Sequence, residues 1–430
     1  MQVSSDPDVS ISLAGENPAA CEPAKAVGRL SICYLVPGHN LLTSAGPTRN
    51  VLNLAGALGQ WADVTVAFRR VLEPMSADGY RVVELDPGAE GAASYVDDAA
   101  VRGVSYRQFL SYLATLRDFA KRRLGGYDVV LEKSWLLSGF MSSICATRGI
   151  PAIPIENLVP VLQKPWQDYR GLATYAKHFA AQRMAGRFLR KAPVIIAETG
   201  YLRTAMARRW RLDENRIRVV SLGVDDRFLQ RHDQGEMRAA LDMDPAATVL
   251  LYVGVLDRAH DIGPVLLAFK DAALPSVQLH VVGDGPLAAE YRALAGEGAS
   301  NVVFHGRLPY DRIPGVIAAA DLCLAPYSPS AFPGGEVAYS TLKIPEYMSA
   351  ARPVVSVPSG RIRELITDGV TGFLFDNEVP RWKAFLQNLP PREQLRRMGE
   401  QAGSMRLNTW SDTAAAYLSI CKEAVAARRT

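Results

Sequence analysis

A chain of 430 residues is long for one domain, and at roughly 150 residues per domain two or three are expected. Hydrophobic residues make up 48% and charged residues 21%, the balance of a globular protein with large cores. With 48 basic against 44 acidic residues, the net charge of +4 lies too near balance for a nucleic-acid binder, while a local basic pocket for a phosphorylated ligand stays open.

The five cysteines are scattered and form no CxxC or Cys/His cluster, so they read as buried free thiols of a reducing compartment. No apolar run reaches the ~18 residues of a membrane span. Residues 1–28 are small, polar and Pro-containing, without the basic-then-apolar order of a secretory leader, and read as a disordered tail. A cytoplasmic protein is expected.

From residue 29, short apolar runs alternate with helix-like stretches. SICYLV is a buried strand, followed by a Gly/Ser/Pro loop and a helix from about Pro47 to Leu58. DVTVAF, YDVVLE, IPAIPIE, APVIIAE and NRIRVVSL are further strands, and the uncharged stretch Ser134 to Thr147 reads as a buried helix. After a polar junction, Gly223 to Asp244, the pattern restarts with TVLLYVG and continues through QLHVVGDG, NVVFHG, ADLCLAPY and RPVVSV. Continuous apolar strands separated by helices predict parallel sheets covered on both faces. The expected organisation is two Rossmann-like doubly wound lobes, about 29–225 and 226–405, and a C-terminal segment 406–430 whose helix, Trp410 to Arg428, crosses back onto the first lobe. In such sheets ligands bind beyond the carboxyl ends of the strands.

Several strand-end loops carry candidate chemistry. Before PVVSV, a Gly/Pro-rich loop runs into a short helix within Tyr339-Ser340-Thr341-Leu342-Lys343-Ile344-Pro345-Glu346-Tyr347-Met348. Backbone N–H groups at a helix start, with the Lys343 ammonium, suit a diphosphate, and Glu346 suits ribose hydroxyls. Taken singly, Lys343 and Glu346 read sooner as residues of a solvated helix face, and it is the whole string that shifts the balance. After TVLLYVG, Gly254 allows close backbone approach, and Arg258 and His260 are the available cations. GDGP reads as a turn. In the first lobe, Gly46 lies at a helix start with Pro47 at its first position, a place for a ligand phosphate. His39, Glu132 and Asn157 stand at strand ends, where contact with a second substrate and loop scaffolding are both open. Asp242-Met243-Asp244 and Asp225-Asp226 lie in the junction, so a paired-carboxylate metal site is not expected.

The string from Ser340 to Val355 resembles the Ser-Pro-Leu-Lys-x-x-Glu-Tyr-Met-Ala-Ala-Gly-x-Pro-Val-Val signature of one branch of the retaining GT-B glycosyltransferases. Ser340, Leu342, Lys343, Glu346, Tyr347, Met348, Ala350, Pro353, Val354 and Val355 match it. His260, the turn Gly306-Arg307-Leu308 beside the nucleotide base, the first loop with Gly46, and Glu132 and Asn157 fall at matching places, and the likeness runs over about residues 30 to 380. The resemblance implies that Lys343 and the backbone at Thr341 and Leu342 hold the donor diphosphate, with Ser340 in the same donor-binding segment, and that Glu346 binds its ribose. It implies retention of configuration, with the departing phosphate oxygen taking the acceptor's proton. Two positions depart from the family: Ala338 stands where a second Glu is common, with Glu336 as a substitute, and Val255 where Arg is common, with Arg258 as its replacement. A nucleotide-diphosphate sugar is then the substrate, UDP being the default base, with an unidentified hydroxyl acceptor (His39, Glu132, Asn157 and Glu336 as contacts), no metal and no separate cofactor. A GT-B phosphorylase or epimerase and a non-catalytic sugar-nucleotide-binding protein are the alternatives.

Overall fold

The computed structural model describes residues 28–41, 46–73, 78–87, 106–157, 172–271, 274–296, 301–332 and 335–428. The expected tail up to residue 27, residues 42–45 of the first strand–helix loop, and 333–334 of the Gly/Pro-rich loop lie outside the described residues.

Seven strands form the first sheet: β1 (Leu30–Val36), β2 (Ala62–Phe68), β3 (Tyr80–Glu84), β4 (Val129–Lys133), β5 (Ala152–Glu156), β6 (Ile195–Ala197) and β7 (Ile217–Val219). Their order is β3-β2-β1-β4-β5-β6-β7, and every pairing is parallel. Six strands form the second: β8 (Thr248–Val253), β9 (Val277–Val282), β10 (Val302–Gly306), β11 (Leu322–Ala325), β12 (Val354–Ser356) and β13 (Gly372–Leu374), in the order β10-β9-β8-β11-β12-β13, again all parallel. The sequence reading omits β3 and β13. YRVVE is a half-buried edge strand that carries charge, and GFL is too short to show a period.

Successive side chains of a strand point to opposite faces, and here both faces are covered. In β1, Ile32, Tyr34 and Val36 enter one core cluster while Cys33 and Leu35 enter another. In β8, Val249 and Leu251 face one cluster, and Leu250 and Tyr252 the other. The first helix runs Gly46–Gly59, one residue beyond the expected span at each end. The expected helix over Ser134 to Thr147 is shorter, Phe140–Thr147, because Gly139 before it is left-handed (φ 81°).

The last helix, Trp410–Ala427, leaves the second sheet and packs on the first. Thr409 and Asp412 form a capping box at its start. Trp410, Ala414, Tyr417, Ile420 and Cys421 share the core cluster of Ile32, Val36, Leu54 and Leu58. The two chain crossings between the lobes touch: Val224 N–H donates to the Asn408 carbonyl at 2.8 Å. A Cβ on Gly223 would lie 2.4 Å from Thr409 and Trp410 backbone atoms, so only glycine fits there. Tyr417 is the largest residue that this helix buries completely. Tyr417→Ala is expected to cost about 3–4 kcal/mol through the cavity it leaves, read as a lowered midpoint in thermal or urea unfolding.

Candidate active site

The loops after β8, β10 and β11 and the segment leading into the helix Lys343–Ser349 meet at the carboxyl edge of the second sheet. Pro345 lies in the first turn of that helix, where its missing N–H removes no intrahelical bond. Tyr347 fastens the helix to the end of β8: its hydroxyl accepts from Val253 N–H at 2.9 Å and donates to the Val253 carbonyl at 3.2 Å.

The Lys343 ammonium projects into an aromatic surround. Nζ lies 4.5 Å from the Tyr252 ring centroid and 5.4 Å from that of Tyr327, and it donates to Tyr252 Oη at 3.4 Å. Gly254 (φ +156°) stands against it, and a Cβ there would be 2.6 Å from Nζ. Among the described residues no carboxylate forms a salt bridge with Lys343. Burial pushes its titration down to about 7, and the more distant Asp257 and Glu346 only partly offset this. The site is short of an anion.

One turn along, Glu346 Oε1 accepts from Tyr310 Oη at 3.1 Å. Burial pushes the Glu346 carboxyl up to about 7, with Asp225 adding to the effect and Arg49 and Lys343 opposing it. On the other side of Lys343, Asp257 Oδ1 accepts from the N–H groups of Ala259 and His260 at 3.0 and 2.9 Å and lies 2.9 Å from His260 Nδ1. His260 Nε2 lies 3.1 Å from Tyr339 Oη. Burial, and then the Lys343 charge, push the imidazole pKa down, so His260 is a neutral polar group and not the cation expected from sequence.

The structure brings Gly254, His260, Lys343 and Glu346 together around the segment of Ser340, Thr341 and Leu342. Tyr327 Oη hydrogen-bonds Thr341 Oγ1. Ser340 N–H bonds the Glu198 carboxyl of the first lobe, and Leu342 packs on the first-lobe core. Arg307 is exposed after β10, and Leu308 packs on the second-lobe core. Gly46 is the first residue of its helix.

Three expectations are corrected. Arg258 does not join Lys343: it is exposed and lines an open hollow of about 620 Å³ with Asp261, Glu290, Tyr291, Ser328 and Ser330. Glu132 is no substrate contact. It is buried, and it accepts from Trp135 Nε1 (2.9 Å), Met141 N–H (3.2 Å), Ser142 N–H (2.8 Å) and Ser142 Oγ (2.7 Å), which caps the helix Phe140–Thr147. Glu336 does not replace the missing glutamate. Its Oε2 accepts from Ser359 Oγ at 2.7 Å and Gly360 N–H at 2.6 Å, and Arg363 lies 3.3 Å away, while Ala338 packs on the helix Gly200–Trp210. The junction carboxylates are likewise committed: Asp225 holds Arg227, and Asp244 accepts from Ala246 N–H.

In the first lobe, His39 Nδ1 has no hydrogen-bond partner among the described residues, and burial beside Lys133 pushes the ring down to about 3. Asn157 is buried, its Oδ1 accepting from Ser134 Oγ. The sequence reading missed Tyr252, Asp257, Tyr310, Tyr327, Tyr339, Arg49 and Glu198. Tyr252 and Tyr327 sit at strand carboxyl ends, which was the available signal. Glu198 follows β6 and forms a buried pair with Lys133, Nζ to Oε1 3.6 Å.

Comparison with known proteins completes the picture. Residues 247–389 match the family model "Glycosyl transferases group 1", and residues 45–228 match "Glycosyltransferase Family 4". A D-inositol 3-phosphate glycosyltransferase of Segniliparus rotundus is 29% identical over 256 residues, 56% of this chain and 54% of that protein, so about half of that relative's length is matched. The protein of the same name from Acidothermus cellulolyticus is 27% identical over 338 residues, 74% of this chain and 72% of its own. Among solved structures, sucrose-phosphate synthase from Thermosynechococcus elongatus superposes with a TM-score of 0.71 at 18% identity, covering 93% of this chain and 100% of that one. Anabaena HepE in complex with UDP-glucose gives 0.66 at 16% identity, covering 90% and 99%. No helix of the described residues is long and apolar enough to cross a membrane. With glycosyltransferase families matching both halves and two parallel-sheet lobes joined as in these neighbours, the chain belongs to the GT-B glycosyltransferases.

Proposed function

We propose that this protein transfers a sugar from a nucleotide-diphosphate donor to a hydroxyl acceptor with retention of configuration, without a metal ion. The observation that carries the reading is Lys343: an ammonium among aromatic rings, seated against a glycine whose missing Cβ makes room for it, with no salt-bridged carboxylate among the described residues. A diphosphate supplies the missing anion. As the C1–O bond to phosphate breaks, its electron pair stays on the phosphate oxygen, and Lys343 stabilises that growing charge without reorganising. The acceptor oxygen bonds to C1 on the same face and passes its proton to the departing phosphate oxygen, so no dedicated protein base is needed. Glu346 accepts from the ribose hydroxyls. Neutral His260, its Nδ1 on Asp257 and its Nε2 on Tyr339, fixes those two side chains beside Lys343. UDP is the first nucleotide to assay. The relatives' names make phosphorylated polyols such as inositol 3-phosphate the first acceptors.

Lys343→Met keeps the stem and deletes the charge. The expected loss is about 3–4 kcal/mol of transition-state stabilisation, roughly two to three decades in kcat, with donor affinity falling much less. Steady-state kinetics at saturating acceptor measures this, and wild-type kcat in the folded variant refutes the assignment. Turnover should also survive exhaustive chelation, whereas a loss restored specifically by manganese or magnesium overturns the metal-free reading.

The titrations give a further test. Lys343 is depressed from 10.5 to about 7, so at pH 8 it is mostly neutral in the free protein. Bound diphosphate restores its charge, so UDP binding at pH 8 should take up a large fraction of a proton. Calorimetry in buffers of different ionisation enthalpy reads this, and the uptake should vanish in Lys343→Met. The folding linkage has a fixed sign as well. A depressed lysine contributes stability present above 10.5 and lost as pH falls through about 7, so Lys343→Met should stabilise the free protein most at and below neutral pH.

A further inference from the structure

Tyr310 stands where the two lobes and their connection meet. Its hydroxyl donates to Glu346 Oε1 at 3.1 Å. The Arg49 guanidinium carbon lies 3.8 Å from the ring centroid and that of Arg227 4.9 Å, with Phe228 against the ring at 5.7 Å. Asp225 grips Arg227 through two bonds of 2.9 and 2.6 Å, in the connection between the sheets. Tyr310 and Glu346 belong to the second lobe. Arg49 belongs to the first turns of the helix Gly46–Gly59 in the first lobe, so its seat on Tyr310 exists only while the lobes are together.

We propose that Tyr310 is a positioning residue for the ribose-binding carboxylate, and that Arg49, seated on its ring, makes ribose recognition depend on lobe closure. This rests on the reading of Glu346 as the ribose contact. The phenol fixes one carboxylate oxygen and leaves the other for ribose hydroxyls. Burial and the neighbouring Glu346 carboxyl raise the Tyr310 phenol far above its ordinary range, so it remains a donor at working pH. A guanidinium on its face withdraws electron density and strengthens that donation. The charges around Glu346 are Asp225, Arg49 and Lys343, with Arg227 held on Asp225. When the lobes part, Arg49 leaves with its helix, the carboxyl loses a favourable cation, and its protonated form gains. Ribose binding and closure therefore favour each other, as linkage requires.

The test compares UDP with 2′,3′-dideoxy-UDP by calorimetry on the full chain, with ADP and GDP run alongside. Both members of a pair carry the diphosphate, so the affinity ratio cancels Lys343 and isolates the ribose hydroxyls. Wild type should favour the ribose form about tenfold or more at pH 8, the worth of hydrogen bonds to a charged group. In Tyr310→Phe the preference should fall to about threefold or less. In Arg49→Gln the preference should survive at pH 9, and the pH at which it is half lost should move upward. A folded Tyr310→Phe with the wild-type ratio, or an Arg49→Gln profile that does not move, overturns the proposal. Nucleoside diphosphates that bind wild type with no ribose preference overturn it too, leaving the donor reading intact. If wild type binds none of them, the donor reading itself falls.

Discussion

The site depends on a lysine that has no salt-bridged counter-ion among the described residues. Placing an ammonium against tyrosine rings costs solvation, which lowers its affinity for a proton until an anion arrives. Lys343 is held in that state by geometry. Its helix is fastened to β8 through Tyr347, and Gly254, with no Cβ, lets the ammonium sit against the backbone after β8. The same lobe has satisfied another buried cation fully, since Arg238 meets Asp321 at 2.6 Å. Lys343 is therefore not charge left over from a poor core. It is an electrostatic deficit at the edge of the sheet where ligands of doubly wound folds bind.

That deficit is assembled by both lobes. The segment before Lys343 rests on the first sheet: Thr199 Oγ1 donates to the Ala338 carbonyl at 3.0 Å, Glu198 takes Ser340 N–H, and Leu342 joins the first-lobe core. Glu198 can do this because Lys133, 3.6 Å away, compensates a carboxylate that is otherwise fully buried. Arg361 adds a bond to Ser221 Oγ across the same joint. Moving the lobes apart strains every one of these contacts, so the segment before Lys343 and the lobe joint are one mechanical unit.

What was legible in the sequence was whatever is local. Eleven of the strands show as apolar runs between turn residues, and the parallel, two-lobed order follows from their alternation with helices. Gly254, His260, Lys343 and Glu346 were readable because each sits just past a strand end or at a short helix start. Arg258 shows where such reading stops. A sequence displays the charge in a loop but not its direction. Here Asp257 draws in the N–H groups of Ala259 and His260, a side-chain-closed turn that sends His260 toward Lys343 and leaves Arg258 facing outward. Glu132 was misread for a related reason, because its partners Met141 and Ser142 lie in the next helix. Tyr310 was invisible, since its meaning comes from Arg49, which the fold brings from the other lobe.

These corrections change the charge balance on which the chemistry rests. With Arg258 turned away and His260 neutral, Lys343 is the one basic side chain among the sequence-derived donor candidates that remains in the aromatic surround. A single ammonium stabilises a leaving diphosphate well only where water is scarce, because screening weakens the attraction several-fold between a dry and a wet site. The rings of Tyr252, Tyr327 and Tyr339 supply part of that dryness from the second lobe. The rest comes from the opposing lobe, through Leu342 on its core and Arg49 over Tyr310. On the proposed reading, lobe closure is thus part of the electrostatics: the movement that seats Arg49 on Tyr310 also removes the solvent that would blunt Lys343.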